Sequence, residues 1–172
     1  ADDLRILPIH RLWEMPEKTY NPNPILNRMR TYFEVTEVTF DRMPIYARVQ
    51  QAARTFGFVV GSLQFLIRLK AEIDPLRDIP LDLPDAVKSL DYTILHYFVF
   101  EKVFDVPYAQ QGKTDNVRYR KDAGLAVKQA VTYRNKLAFI TPGCSMQQMM
   151  AVCKTGALMP QKSTYFYPKV VC

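Results

Sequence analysis

Residues with chemistry to offer are few in this chain, and their spacing is informative. Gly112, Lys113 and Thr114 spell the end of a phosphate-binding loop, in which backbone amides and a lysine hold nucleotide phosphates. That motif also needs a glycine five positions earlier, where Pro107 stands, and a strand ahead of the loop, so its context speaks against nucleotide binding there. His10 and His96 are the only histidines, and neither has a second histidine or a cysteine at ligand spacing, so no metal site is expected. Cys144 precedes a predicted helix start, where a thiolate would be stabilised, but no general base accompanies it and a buried structural role is expected. The carboxylates are scattered at helix starts and in proline-rich connectors, with no pairing for acid–base work. No catalytic residue, cofactor or metal is expected, and the chain reads as non-catalytic.

The basic residues carry more information. Lys113, Arg118, Arg120, Lys121, Lys128, Arg134 and Lys136 face only Asp115 and Asp122, with Tyr119 and Tyr133 interleaved. Arg118, Arg120 and Lys121 are the candidate RNA contacts of such a surface, a solvated helix face or an acidic partner protein being the alternatives. The formal charge of +6, from 23 basic and 17 acidic side chains, does not choose among them. Cys144, Cys153 and Cys172 match neither a CxxC pair nor a disulfide framework, which points to a reducing compartment such as cytosol or mitochondrial matrix. Ala1 in place of methionine suggests processing.

The elements that must position these residues read as helices. With 172 residues and 48% hydrophobic content the chain can bury one core. Prolines 8, 16, 22 and 24 make residues 1–23 an extended strap, whose Leu12, Trp13 and Met15 offer apolar surface for docking. Helices are predicted over 24–38, over 44–57 with Gly57 as C-terminal cap, and then at once from Val59 to the "EIDP" segment. Further helices are predicted from Asp85 through the Leu90, Ile94, Phe98 row, over the basic stretch to Ile140, and from the cap Ser145 to Gly156. The most apolar passage, 53–73, falls short of a bilayer span and is broken by Gln64. Residues 157–172 form an extended tail with Tyr165, Phe166 and Tyr167 as docking aromatics. The expected architecture is all-α, with six to seven helices, and a helical-repeat domain over 24–156.

One stretch carries a family resemblance. Tyr46, Val49, Ala52, Gly57, Ser62, Leu63, Leu66 and Leu69 stand where a pentatricopeptide repeat places its aromatic, aliphatic, small, turn-glycine, small and three aliphatic positions. Pro84, Asp85, Tyr92 and Leu95, and the "AVTYRNKL" segment, resemble parts of further units, which would stack as a short α-solenoid. Ala47, Thr93 and Arg134 occupy the base-reading positions, and alanine cannot make a base contact. The chain is similar to the pentatricopeptide-like subunit on the catalytic head of the kinetoplastid mitochondrial ATP synthase. That resemblance implies a structural subunit in the mitochondrial matrix, peripheral to the inner membrane, docked on an ATP synthase α subunit. A cytochrome oxidase subunit, a mitochondrial ribosomal protein and an RNA-binding repeat protein are the alternatives.

Overall fold

The computed structural model describes residues 5–16, 21–39 and 43–167. Eight strands run through it: β1 (Arg5–Pro8), β2 (His10–Glu14), β3 (Phe33–Val38), β4 (Thr55–Val60), β5 (Leu63–Leu69), β6 (Val117–Arg120), β7 (Lys136–Ile140) and β8 (Thr164–Tyr167). Six form one antiparallel sheet in the order β3-β5-β4-β7-β2-β6, while β1 and β8 pair separately. The helices are α1 (Asn23–Met29), α2 (Ile45–Val49), α3 (Pro75–Asp78), α4 (Asp85–Lys88), α5 (Asp91–Ile94), α6 (Ala123–Thr132) and α7 (Met146–Lys154). A π-helical segment, Leu95–Glu101, continues α5, and a 3-10 segment covers Tyr108–Lys113.

The all-α solenoid is therefore replaced by a mixed α/β fold, and β4 shows why. All six of its residues are buried, because the sheet is covered on both faces. Phe56, Phe58 and Val60 join a core with Trp13, Phe65, Ile67, Phe139 and the π segment, while Val59 packs on the other face with Leu12, Ile45, Ala126 and Ile140. Burial on both faces erases the alternation that marks a strand, and a short apolar run then fits either period. The aromatic and β-branched content of the run suits a pleated sheet.

The glycines of this passage also change roles. Gly57 lies inside β4, where an added Cβ would come within 2.9 Å of Ile45 and 3.1 Å of the Ile140 Cβ. The reversal comes at Gly61, whose φ of +56° opens a two-residue turn with Ser62, as hairpins with glycine in the first turn position prefer. Positions that resembled a helical hairpin are thus a β-hairpin, with Val60 opposite Leu63. The predicted helix over 24–38 stops at Met29 and continues as β3 through β-branched Val35, Thr36 and Val38. The basic stretch divides into β6, α6 and β7.

The helix predicted from Asp85 is interrupted at Leu90, whose backbone is extended, and resumes as α5 and the π segment, where Ile94 and Phe98 are buried. The helix predicted from Ser145 matches what is seen: α7 carries a capping box between Ser145 and Gln148 before ending near Gly156, at φ +78°. No helix among the described residues is long and apolar enough to cross a membrane.

Candidate functional site

Alternation along β2 places Arg11 on the same face as Ile9 and Trp13, pointing at the π segment. Its residue is 1% exposed, among the least accessible in the protein, so its N–H groups depend on partners other than bulk solvent. Nε donates to His96 Nε2 at 3.1 Å, Nη2 donates to the Lys162 carbonyl at 2.8 Å, and Nη1 donates to the Ile9 carbonyl. The guanidinium also lies 5.0 Å from the ring centre of Tyr92 and 5.4 Å from that of Tyr119.

The partners are held in turn. His96 Nε2 accepts from Arg11, so its Nδ1 carries the proton and donates to Gln111 Oε1 at 2.7 Å. Gln111 Nε2 donates to the carbonyls of His96 and Val106. Burial, then the charge of Arg11, hold His96 neutral. Lys162 has a left-handed backbone, φ +56°, in the turn that brings its carbonyl to Arg11.

The charge balance of this cluster is one-sided. Burial lowers Arg11 to about 10, still protonated at neutral pH. Among the described residues no carboxylate pairs with it. A buried cation without a counter-charge costs several kcal/mol, so a site that keeps one is expected to draw an anion to it.

Arg11 forms part of the wall of a cleft of about 20 Å³, with Asp91, Thr141, Cys144, Gln148 and Ser163 among the other lining residues, so only a small group can enter it. Ser163 Oγ is buried there without a hydrogen-bond partner. Cys144 and Gln148 bracket the start of α7, whose first turn adds the partial positive charge of a helix N-terminus. The Asp91 carboxylate makes no hydrogen bond or ion pair among the described residues, and burial raises it to about 6 against the opposing pull of Arg54. Burial, then the Asp91 charge, push the Cys144 thiol up, so Cys144 is not an activated nucleophile.

The residues singled out from sequence lie elsewhere or play other parts. Leu12 is fully buried in the core under α6, and Trp13 stacks on Phe100 and Phe104 at 5.1 and 4.7 Å, so both serve the protein's own interior. Met15 packs at the edge of that core. Tyr165, Phe166 and Tyr167 form β8 against Leu7, Ile6 and Arg5, with Phe166 and Tyr167 exposed. Arg118 and Arg120 stand on edge strand β6, where Arg120 donates to Gln129 of α6, and Lys121 lies over the Tyr165 ring. The basic side chains that one long helix would align are thus dispersed. Gly112 and Lys113 are exposed in the 3-10 segment, with no helix following, so the phosphate-loop geometry is absent. Among the described residues no group of three His, Cys, Asp or Glu could hold a metal ion. The sequence reading missed Arg11 and Asp91, although an arginine inside the apolar alternation Ile9-Arg11-Trp13 was a visible signal.

No protein-family model matches the chain, and no curated protein matches it either. Solved structures do. A free serine kinase in complex with AMP superposes with a TM-score of 0.53 at 15% identity, covering 96% of this chain and 55% of the kinase. A conserved hypothetical protein from Pyrococcus furiosus gives 0.56 at 14% identity, covering 99% and 59%. The chain thus spans a little over half the length of these structures. The reading as a non-catalytic, helical-repeat subunit of ATP synthase, serving ATP synthesis and proton transport, is overturned: the passage that most resembled a helical hairpin forms strands β4 and β5 of a sheet, and the structures sharing the fold include a kinase. What the chain shares with the kinase and the Pyrococcus protein is the α/β fold itself.

Proposed function

We propose that this chain is the anion-holding portion of an α/β enzyme that acts on a phosphorylated small molecule of the nucleoside-phosphate class. The observation that carries the reading is Arg11: a fully buried, protonated guanidinium with no carboxylate against it, opening on a cleft. Three of its five N–H groups are engaged within the protein, which leaves two for a ligand oxygen. Ser163 Oγ adds a further donor to the same cleft. The fold shared with a free serine kinase in complex with AMP supports the same class of ligand. Asp91, with a carboxyl near 6, is suited to exchange a proton with a bound group at neutral pH.

Calorimetric titration with AMP, on the unaltered chain and on Arg11→Met, tests the reading. Saturable binding that is lost in Arg11→Met is expected. Equal binding by both proteins, or none by the unaltered chain, refutes it.

A further inference from the structure

The last helix, α7, concentrates its chemistry on sulfur. Four of its nine residues carry it: Met146, Met149, Met150 and Cys153. At 3.6 residues per turn these four fall within one arc of about 100°, beside the direction in which Val152 is buried. Gln147, Ala151 and Lys154 take the other outward positions, so the sulfur arc is continuous along the helix.

Packing of the protein's own core does not account for the arc. Met146 and Met150 are 41% and 50% exposed, Cys153 is an exposed free thiol, and Met149 is half-buried. Spacing brings the sulfurs within reach of one another. Met149 and Met150 stand four and three residues before Cys153, the two separations at which side chains meet on a helix. Cα–Cβ bonds tilt toward the helix N-terminus, which sets the Cys153 sulfur over the turn carrying both methionines. Three rotatable bonds in each methionine let its thioether close on that sulfur. Met146, three and four residues before the pair, adjoins them one turn further on.

The donor set decides which ligand suits it. Hard cations such as Ca2+ and Mg2+ take oxygen ligands, and zinc takes thiolate, imidazole and carboxylate. Thioethers are neutral, polarisable donors, and together with a thiolate they are the ligands that select Cu(I). Cys153 also lies in the last turn of α7, where the helix end carries a partial negative charge that favours a cation.

We infer that Met149, Met150 and Cys153, adjoined by Met146, form a surface site for a soft monovalent cation of the Cu(I) class. Binding replaces the Cys153 S–H bond by a metal–thiolate bond and releases the proton to solvent, with no change of oxidation state. The site is separate from the Arg11 cleft, which α7 lines through Gln148 on another side of the helix.

Silver(I), a redox-stable ion of the same class, tests the inference when titrated in chloride-free buffer into the full chain with 13C-labelled methionine methyls. The Met149 and Met150 methyl signals and the Cys153 amide are expected to shift together, with release of about one proton per ion bound. Zinc at the same concentration is expected to leave those methyls in place. The double variant Met149→Leu/Met150→Leu conserves volume and apolarity and is expected to keep the fold. It is expected to weaken silver binding, read at the Cys153 amide, by about tenfold or more, the loss that disturbing even a ligand's outer partner brings. Cys153→Ser is expected to abolish the methyl shifts. Silver affinity unchanged in the double variant marks a lone reactive thiol and overturns the inference. Methyl signals that stay in place with silver, or that move equally with zinc, overturn it too.

Discussion

Replacing Asp91 by asparagine should stabilise the protein at neutral pH and leave it unchanged in acid. Burial raises the folded-state carboxyl from 3.8 to about 6, a shift of about two units. At 1.36 kcal/mol per unit this is a penalty of up to about 3 kcal/mol once the carboxylate is ionised. The sign follows from proton counting. Between about pH 4 and 6 the folded protein keeps a proton that the unfolded chain has released, so stability falls as pH rises through that window. Above it the penalty is complete, and below it the penalty is absent. Asparagine has nearly the same shape and never ionises. Urea denaturation at pH 4 and at pH 7.5, followed by the fluorescence of Trp13 between Phe100 and Phe104, measures both ends. Asp91→Asn should be more stable than the unaltered chain by up to about 3 kcal/mol at pH 7.5, with the gap closing at pH 4. A gap of the same size at both pH values would mark a packing effect, and no gain at pH 7.5 would refute the reasoning. A carboxylate kept at such a cost, in a cleft and without a partner, is what a functional group looks like in stability terms.

Three further outcomes follow from the same geometry. Sulfate, which does not titrate in this range, should bind the Arg11 cleft more tightly as pH falls from 7.5 to 5.5, because Asp91 loses its charge while His10 and His96 stay neutral; pH-independent affinity in calorimetry would contradict this. Gly57→Ala should cost about 1–3 kcal/mol in urea denaturation, since the added methyl meets Ile45 and the Ile140 Cβ at 2.9 and 3.1 Å. Ser145→Ala breaks the capping box of α7 and should cost about 1 kcal/mol by the same measurement.

Local signals in the sequence are legible where one element answers to its own residues. The cap Ser145 and the stop near Gly156 depend on neighbours within a turn or two. The sheet was illegible for a physical reason. Its central strand β4 is covered on both faces, so "TFGFVV" shows no alternation, and Gly57 looks like a helix cap when its smallness serves the approach of Ile45. The basic stretch misled because "RYRKDAGLAVKQAVTYRNKLAFI" contains a true helix in its middle, which lends its period to the flanking strands. The site was legible in part. Arg11 stands in step with Ile9 and Trp13, which the sequence displays, whereas nothing near Asp91 announces that it and residues 141–163 share one cleft.

The central claim is that the Arg11 cleft holds an anion, and NMR mapping of AMP binding tests it most directly. On titration, the Arg11 Nε–H and the amides of Asp91, Cys144 and Ser163 should shift together, with one affinity, and Arg11→Met should abolish the shifts. Perturbations confined to the basic edge strand around Arg118 and Arg120, or shifts that persist in Arg11→Met, would contradict the account.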